Sequence, residues 1–196
     1  MAYEEFRQKI VNLQSDVSLF QVEFLDRDKF KKFADNLGSN ISAWINIRIT
    51  GYFSETIRES LENLMRMRKS PPRKMRLICP HLDIRKTREK KNLQALKKLA
   101  DAGIEIKVND RLHARFLVAY TKITGPKMSS SREYWGMLLI GSFDFNTKCI
   151  GRERYDAGVK TNNPDLVKSA VELFDQIWNE PESVPLEDFA KKPKGS

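Results

Sequence analysis

Along most of this chain, apolar positions alternate with polar ones, then recur at helical spacing, then alternate again. Phe20, Val22 and Phe24 alternate with Gln21 and Glu23, which predicts a short strand. Residues 28–37 place Phe30, Phe33, Ala34 and Leu37 on one helical face, with Gly38 as the expected stop. Residues 43–50 predict a strand through Trp44, Ile45, Ile47 and Ile49, broken by Gly51-Tyr52-Phe53. Ser54 is the expected cap of a helix that turns Ile57, Leu61, Leu64 and Met65 inward. Residues 69–74 form a loop, and 75–80 form a short apolar strand suited to the middle of a sheet. A helix over 85–102 buries Leu93, Leu96, Leu99 and Ala100 and ends at Gly103. Residues 104–108 then alternate as another strand. Strands alternating with helices in this way predict an α/β fold with a mixed, largely parallel sheet flanked by helices.

Strands are also predicted over 115–120, 137–140 and 155–160, with a polar loop over 121–133. Asn163 caps a last helix with Pro164 in its first position. Leu166, Val167, Ala170, Val171, Phe174, Ile177 and Trp178 form that helix's apolar face. From Asn179 onward the chain carries prolines and acids and then a lysine-rich end, which predicts loose order. The expected organisation is therefore in three parts. Residues 1–40 are an N-terminal extension, an edge strand plus a helix, serving as a lid or a dimer element. Residues 41–180 are the main domain, and 181–196 are a flexible tail. No internal repeat divides the chain into similar halves.

Composition narrows the class. With 40% hydrophobic and 31% charged residues the chain is globular. It has no apolar run of about 18 residues, so no transmembrane helix is expected. The start, Met1-Ala2-Tyr3-Glu4-Glu5, has acids where a signal peptide needs a basic start, so a cytoplasmic location is expected. Two cysteines, Cys79 and Cys149, and two histidines, His81 and His113, make neither a disulfide framework nor a zinc pattern. No metal and no cofactor are expected. The net charge of +9 favours an anionic partner, nucleic acid or the phosphates of a membrane surface, although solubility alone also accounts for it.

Candidate chemistry begins at Leu112-His113-Ala114-Arg115-Phe116, at the entrance to a strand. Residues two apart on a strand share a face, so His113 and Arg115 are expected to face one pocket. An imidazole can attack phosphorus or donate a proton, and a guanidinium can hold two phosphate oxygens. A second segment, Gly141-Ser142-Phe143-Asp144-Phe145-Asn146, follows a strand. Its glycine permits close backbone approach and Ser142 can donate to a phosphate oxygen; small polar residues also suit an ordinary turn. Asp156, expected on the next strand, is a candidate partner for the ring N–H of His113. Tyr52 and Trp135 are placed either to stack a base or to pack at a rim.

Taken in order, these segments resemble the phospholipase D superfamily, whose motifs are H-x-K at a strand, G-S-x-N after the next strand, and an acid later. The counterparts are His113-Ala114-Arg115, Gly141-Ser142-Phe143-Asp144, and Asp156 within Arg154-Tyr155-Asp156-Ala157-Gly158. The resemblance covers roughly residues 40–180. It implies a metal-independent phosphodiesterase that works through a phosphohistidine and needs two motif sets. This chain carries one set, so it is similar to the small dimeric nucleases. The resemblance makes His113 the nucleophile in one subunit and the acid in the other, with Asp156 orienting it. Arg115, Ser142, Asp144 and Asn146 occupy phosphate-binding positions. The implied partners are a second copy of the chain and nucleic acid, with membrane phospholipid as the weaker candidate. The loop residues Lys122, Lys127 and Arg132 are placed to reach a nucleic-acid backbone.

Two positions depart from the family pattern. Arg115 replaces the lysine, keeping charge but changing geometry. Asp144 replaces the asparagine, and an ionised carboxylate there repels phosphate. Either Asp144 pairs with Arg115, or it is protonated, or Asn146 supplies the amide; the compensating pair is the preferred expectation. The alternative to an enzyme is a catalytically degenerate module that grips nucleic-acid or lipid phosphate.

Overall fold

In a computed structural model, the described residues are 20–51, 55–66, 74–80, 82, 87–123, 133–142 and 157–191. The strands are β1 (Val22–Leu25), β2 (Asn46–Thr50), β3 (Lys74–Pro80), β4 (Glu105–Asn109), β5 (Phe116–Lys122), β6 (Tyr134–Gly141), β7 (Gly158–Thr161) and β8 (Val184–Pro185). The helices are α1 (Arg27–Asp35), α2 (Leu37–Ile41), α3 (Glu55–Arg66), α4 (Thr87–Asp101), α5 (Pro164–Asn179) and α6 (Leu186–Lys191). All eight strands join one sheet in the order β1-β7-β6-β5-β2-β3-β4-β8.

The sheet is mixed, as expected, but its parallel part is confined to β2, β3 and β4. Helices α3 and α4 cross over between those strands, and a helical crossover is what returns a chain parallel to itself. The other pairings, β1 with β7, β7 with β6, β6 with β5, β5 with β2 and β4 with β8, are antiparallel. One consequence positions the site. Strands β2, β3, β4 and β6 end at the same sheet edge at which β5 and β7 begin.

Helices cover both faces. On one face, α1 to α4 and α6 bury Phe30, Leu37, Leu61, Leu99 and Phe189 against Ile47, Leu77 and Leu117. On the other, α5 buries Val167, Val171, Phe174 and Trp178 against Phe116, Val118 and Leu138. Asn163 caps α5 by accepting from the backbone of Asp165 and Leu166, and Pro164 fills the first position. Gly103, at φ +91, ends α4 in the left-handed region that a glycine tolerates best.

Several boundaries differ from the sequence pattern. Gly38 does not stop a helix but lies inside α2, which Leu37 and Ile41 anchor by being fully buried. Leu166, assigned to the apolar face of α5, is 48% exposed. The segment expected to be a flexible tail carries β8, paired antiparallel to β4, and α6, whose Leu186 and Phe189 enter the core. Burial of two large apolar side chains offsets the ordering cost that the prolines and acids alone would not. The extension before residue 41 is built into the same domain: β1 is the edge strand on β7, and α1 and α2 supply core residues.

That edge leaves apolar surface open. Leu25 points into the core, so Val22 and Phe24 point to the α5 face, where they are 69% and 62% exposed. Phe24 lies in register with Val159, and Val159 with Ile140, which is 48% exposed. Helix α5 packs mainly over β6, β5 and β2.

Candidate active site

The sheet edge described above carries a cleft of about 310 Å³ lined by Gly51, Pro80, Asp110, Leu112, His113, Ala114 and Arg115. Its size is at the small end of the usual range for ligand sites. Each lining element has a physical reason to be there. Gly51 leaves β2 at φ 134, a conformation that side chains rarely adopt, and its N–H donates to Ile78 O at 3.1 Å.

His113 reaches the cleft from a short link between β4 and β5. Asn109, 1% exposed, builds the turn: its side-chain oxygen accepts from Arg111 N at 2.9 Å and its carbonyl from Leu112 N at 3.3 Å. Its amide donates to Ser183 Oγ at 2.9 Å, and Ser183 donates to Ile177 O at 2.5 Å. The histidine-bearing turn is thereby tied to the end of α5. His113 itself is exposed at the cleft.

Arg115 precedes β5 rather than belonging to it, so strand alternation is not what brings it beside His113. The irregular stretch Leu112 to Arg115 lines the cleft with four successive residues instead. The start of β5 is clamped by Thr50, fully buried, whose hydroxyl accepts from Phe116 N at 3.0 Å. Arg115 Nη1 donates to Ser142 O at 2.7 Å, and Arg115 O accepts from Gly141 N at 3.3 Å. Ser142 in turn is held by the entry to β7: its N–H donates to Ala157 O at 3.0 Å, and its hydroxyl accepts from Ala157 N at 3.1 Å. The segments bearing His113, Arg115 and Ser142 therefore meet at one edge, linked by hydrogen bonds. Chemically, the cleft offers an accessible imidazole beside a guanidinium, which suits an anion.

Asp144, Asn146 and Asp156 lie outside the described residues, as do Tyr52, Lys127 and Arg132. Trp135 sits on β6 and is 54% exposed. Lys122 belongs to β5 rather than to a loop and pairs with Glu133 at 3.7 Å. Sequence reasoning missed Thr50, Asn109 and Ser183, the buried polar groups that hold the cleft's backbone. The available signal was a polar residue closing each of two apolar strands, Thr50 before Gly51 and Asn109 before Asp110.

A family model described as cardiolipin synthase, PLD-like domain, matches residues 41–178. The chain belongs to the phospholipase D superfamily. Several solved structures share the fold. Nuc from Salmonella typhimurium, a phospholipase D family member, superposes with a TM-score of 0.58 at 16% identity, over 85% of this chain and 96% of that one. NucT from Helicobacter pylori gives 0.60 at 12% identity, over 85% of this chain and 99% of that one. The archaeal chromatin protein TrmBL2, described as having a novel mode of DNA binding, gives 0.52 at 11% identity, over 93% of this chain and 62% of that one. No curated protein sequence matches the chain. Membership in the phospholipase D superfamily supports a phosphodiesterase-type activity; of the motif positions, His113 and Arg115 line the cleft and Ser142 is hydrogen-bonded to Arg115.

Proposed function

We propose that the protein is a metal-independent phosphodiesterase, a nuclease, that acts through a phosphohistidine in a homodimer. The observation that carries this reading is the cleft, where an exposed His113 stands beside Arg115 at the open end of the sheet. Family membership over residues 41–178 and likeness of fold to Nuc and NucT over nearly their whole length support it. In the proposed reaction a ring nitrogen of His113 attacks phosphorus. The phosphorus–oxygen bond to the leaving group breaks, and that oxygen takes a proton from His113 of the partner subunit. Water then attacks the phosphorus, gives its proton to the histidine that had acted as acid, and displaces the first histidine. Asp156 orients the imidazole, and Asn146 and Ser142 contact phosphate. Arg115 supplies positive charge, with Asp144 as its balancing partner.

The open apolar row of Phe24, Val159 and Ile140 supports the dimer. It lies in register with Phe116, the residue after Arg115, so a second copy seated there lies beside the cleft. Exposed apolar surface of this kind marks interaction sites.

The test is cleavage of bis(p-nitrophenyl) phosphate and of DNA and RNA in excess EDTA. Turnover that falls at least about a thousandfold in His113→Ala, with the fold and dimer intact, is the expected result. Equal turnover in both proteins contradicts the assignment. A second reading is a phosphate-gripping module without turnover. It is favoured by the two departures from the family pattern, Arg115 in place of the lysine and Asp144 in place of the asparagine. A folded dimer that binds nucleic acid but cleaves nothing is the outcome that selects it.

A further inference from the structure

Helix α4 carries four lysines, Lys90, Lys91, Lys97 and Lys98, all exposed. None has an ion-pair or hydrogen-bond partner among the described residues. Elsewhere Lys29, Lys31, Lys122, Lys160, Lys168 and Lys191 each face a carboxylate within 4.0 Å, while Lys32 and Lys74 are single exposed lysines rather than a row. The four form two pairs seven residues apart, two helical turns or about 10.5 Å, so they lie along one side of the helix. The opposite side buries Ala95, Leu96 and Leu99.

Topology sets the direction of this ridge. Helix α4 connects the parallel strands β3 and β4, so it starts at the edge where β3 ends and runs away from it. Pro80, the last residue of β3, lines the cleft. The ridge therefore begins at the candidate active-site edge and extends along 15 helical residues, about 22 Å. The acids leave it positive. Within the sequence of α4, Glu89 and Asp101 stand against Arg88 and the four lysines, Asp101 at the far end, and Glu62, beside Lys98, is engaged by Arg58 at 2.5 Å.

We propose that this ridge is a track for the sugar–phosphate backbone of nucleic acid, continuing the cleft along α4. At about 3.4 Å per stacked nucleotide of one strand, it accommodates about six nucleotides beyond the cleft. The ridge suits a polyanion rather than a membrane: between its lysines stands Gln94, and among the described residues of the ridge no exposed apolar side chain is available to insert. Naming what is cut rests on the nuclease reading above; the binding claim stands on the ridge alone.

The experiment measures binding, not turnover. Oligonucleotides of about thirty nucleotides, single- and double-stranded, are titrated in EDTA against the His113→Ala protein across a range of salt. The same background carries either K90Q/K91Q/K97Q/K98Q or a control that removes equal charge elsewhere, K31Q/K32Q/K168Q/K191Q. The ridge variant is expected to lose more than about tenfold in affinity. Its slope of log affinity against log salt should fall by about three, against less than one for the control. Equal losses in the two variants overturn the proposal, as does an unchanged affinity in the ridge variant. Binding to phosphatidylserine vesicles that only the ridge variant loses, with nucleic-acid affinity unchanged, also overturns it and assigns the ridge to a membrane. If the protein bearing His113 cleaves nothing while the ridge variant alone loses binding, the nuclease reading fails and the track stands.

Discussion

Thr50 holds the open end of β2 against the start of β5 through one buried hydroxyl, which accepts from Phe116 N and donates to Phe116 O at 3.5 Å. Thr50→Val keeps the shape and removes both bonds, leaving the Phe116 amide without its partner. A loss of about 1–3 kcal/mol in chemical denaturation is expected, and an unchanged midpoint would contradict the clamp. Cys79 is the contrasting case, a sulfur with no part in the cleft. Burial pushes its thiol up to about 12, so it stays neutral at ordinary pH. Because the thiolate is the reactive form, Cys149→Ser protein should not react with a disulfide reagent at neutral pH until it is unfolded. Rapid reaction of the folded protein would place Cys79 nearer solvent than described. Residue chemistry was unevenly legible in the sequence. His113, Arg115 and Ser142 stood out because their side chains advertise phosphate chemistry and occur in family order. Thr50 and Asn109 did not, because a short polar residue at a strand end also suits an ordinary turn, and only the fold shows that these are buried.

Helices and strands were legible where a local signal decides them. The Asn163-Pro164 pair starts α5 at the expected residue, and Gly103 ends α4 at the expected turn. The strand order was not legible to the same degree. Alternating strands and helices fit a parallel sheet, whereas β5, β6 and β7 pair antiparallel. The C-terminal segment was misjudged for a related reason. Its six-residue helix α6 is too short for periodicity to reveal, and β8 is two residues long. Their order comes from tertiary contact, through Leu186 and Phe189 in the core. Phe189→Ala should therefore destabilise the whole domain by about 3 kcal/mol, measured by denaturant unfolding. A flexible tail would show no change.

At the scale of the whole molecule, one sheet edge gathers the ends of β2, β3, β4 and β6 with the beginnings of β5 and β7, and the candidate site lies there. The same edge adjoins the open apolar row on the α5 face. Phe24→Asp places a charge in that row without touching the core, since Phe24 is 62% exposed. Sedimentation should then show monomers where the unaltered protein sediments as a dimer, and metal-free turnover should fall with the dimer. A monomeric, fully active protein would remove the need for a second copy. The central claim is that His113 becomes covalently bonded to phosphorus during turnover. The most direct measurement is acid-free quenching of the protein with a phosphorus-labelled diester in EDTA, followed by peptide mapping. The expected result is base-stable, acid-labile label on the peptide containing His113, absent in His113→Ala. Turnover without any such label, or label on another residue, would contradict it.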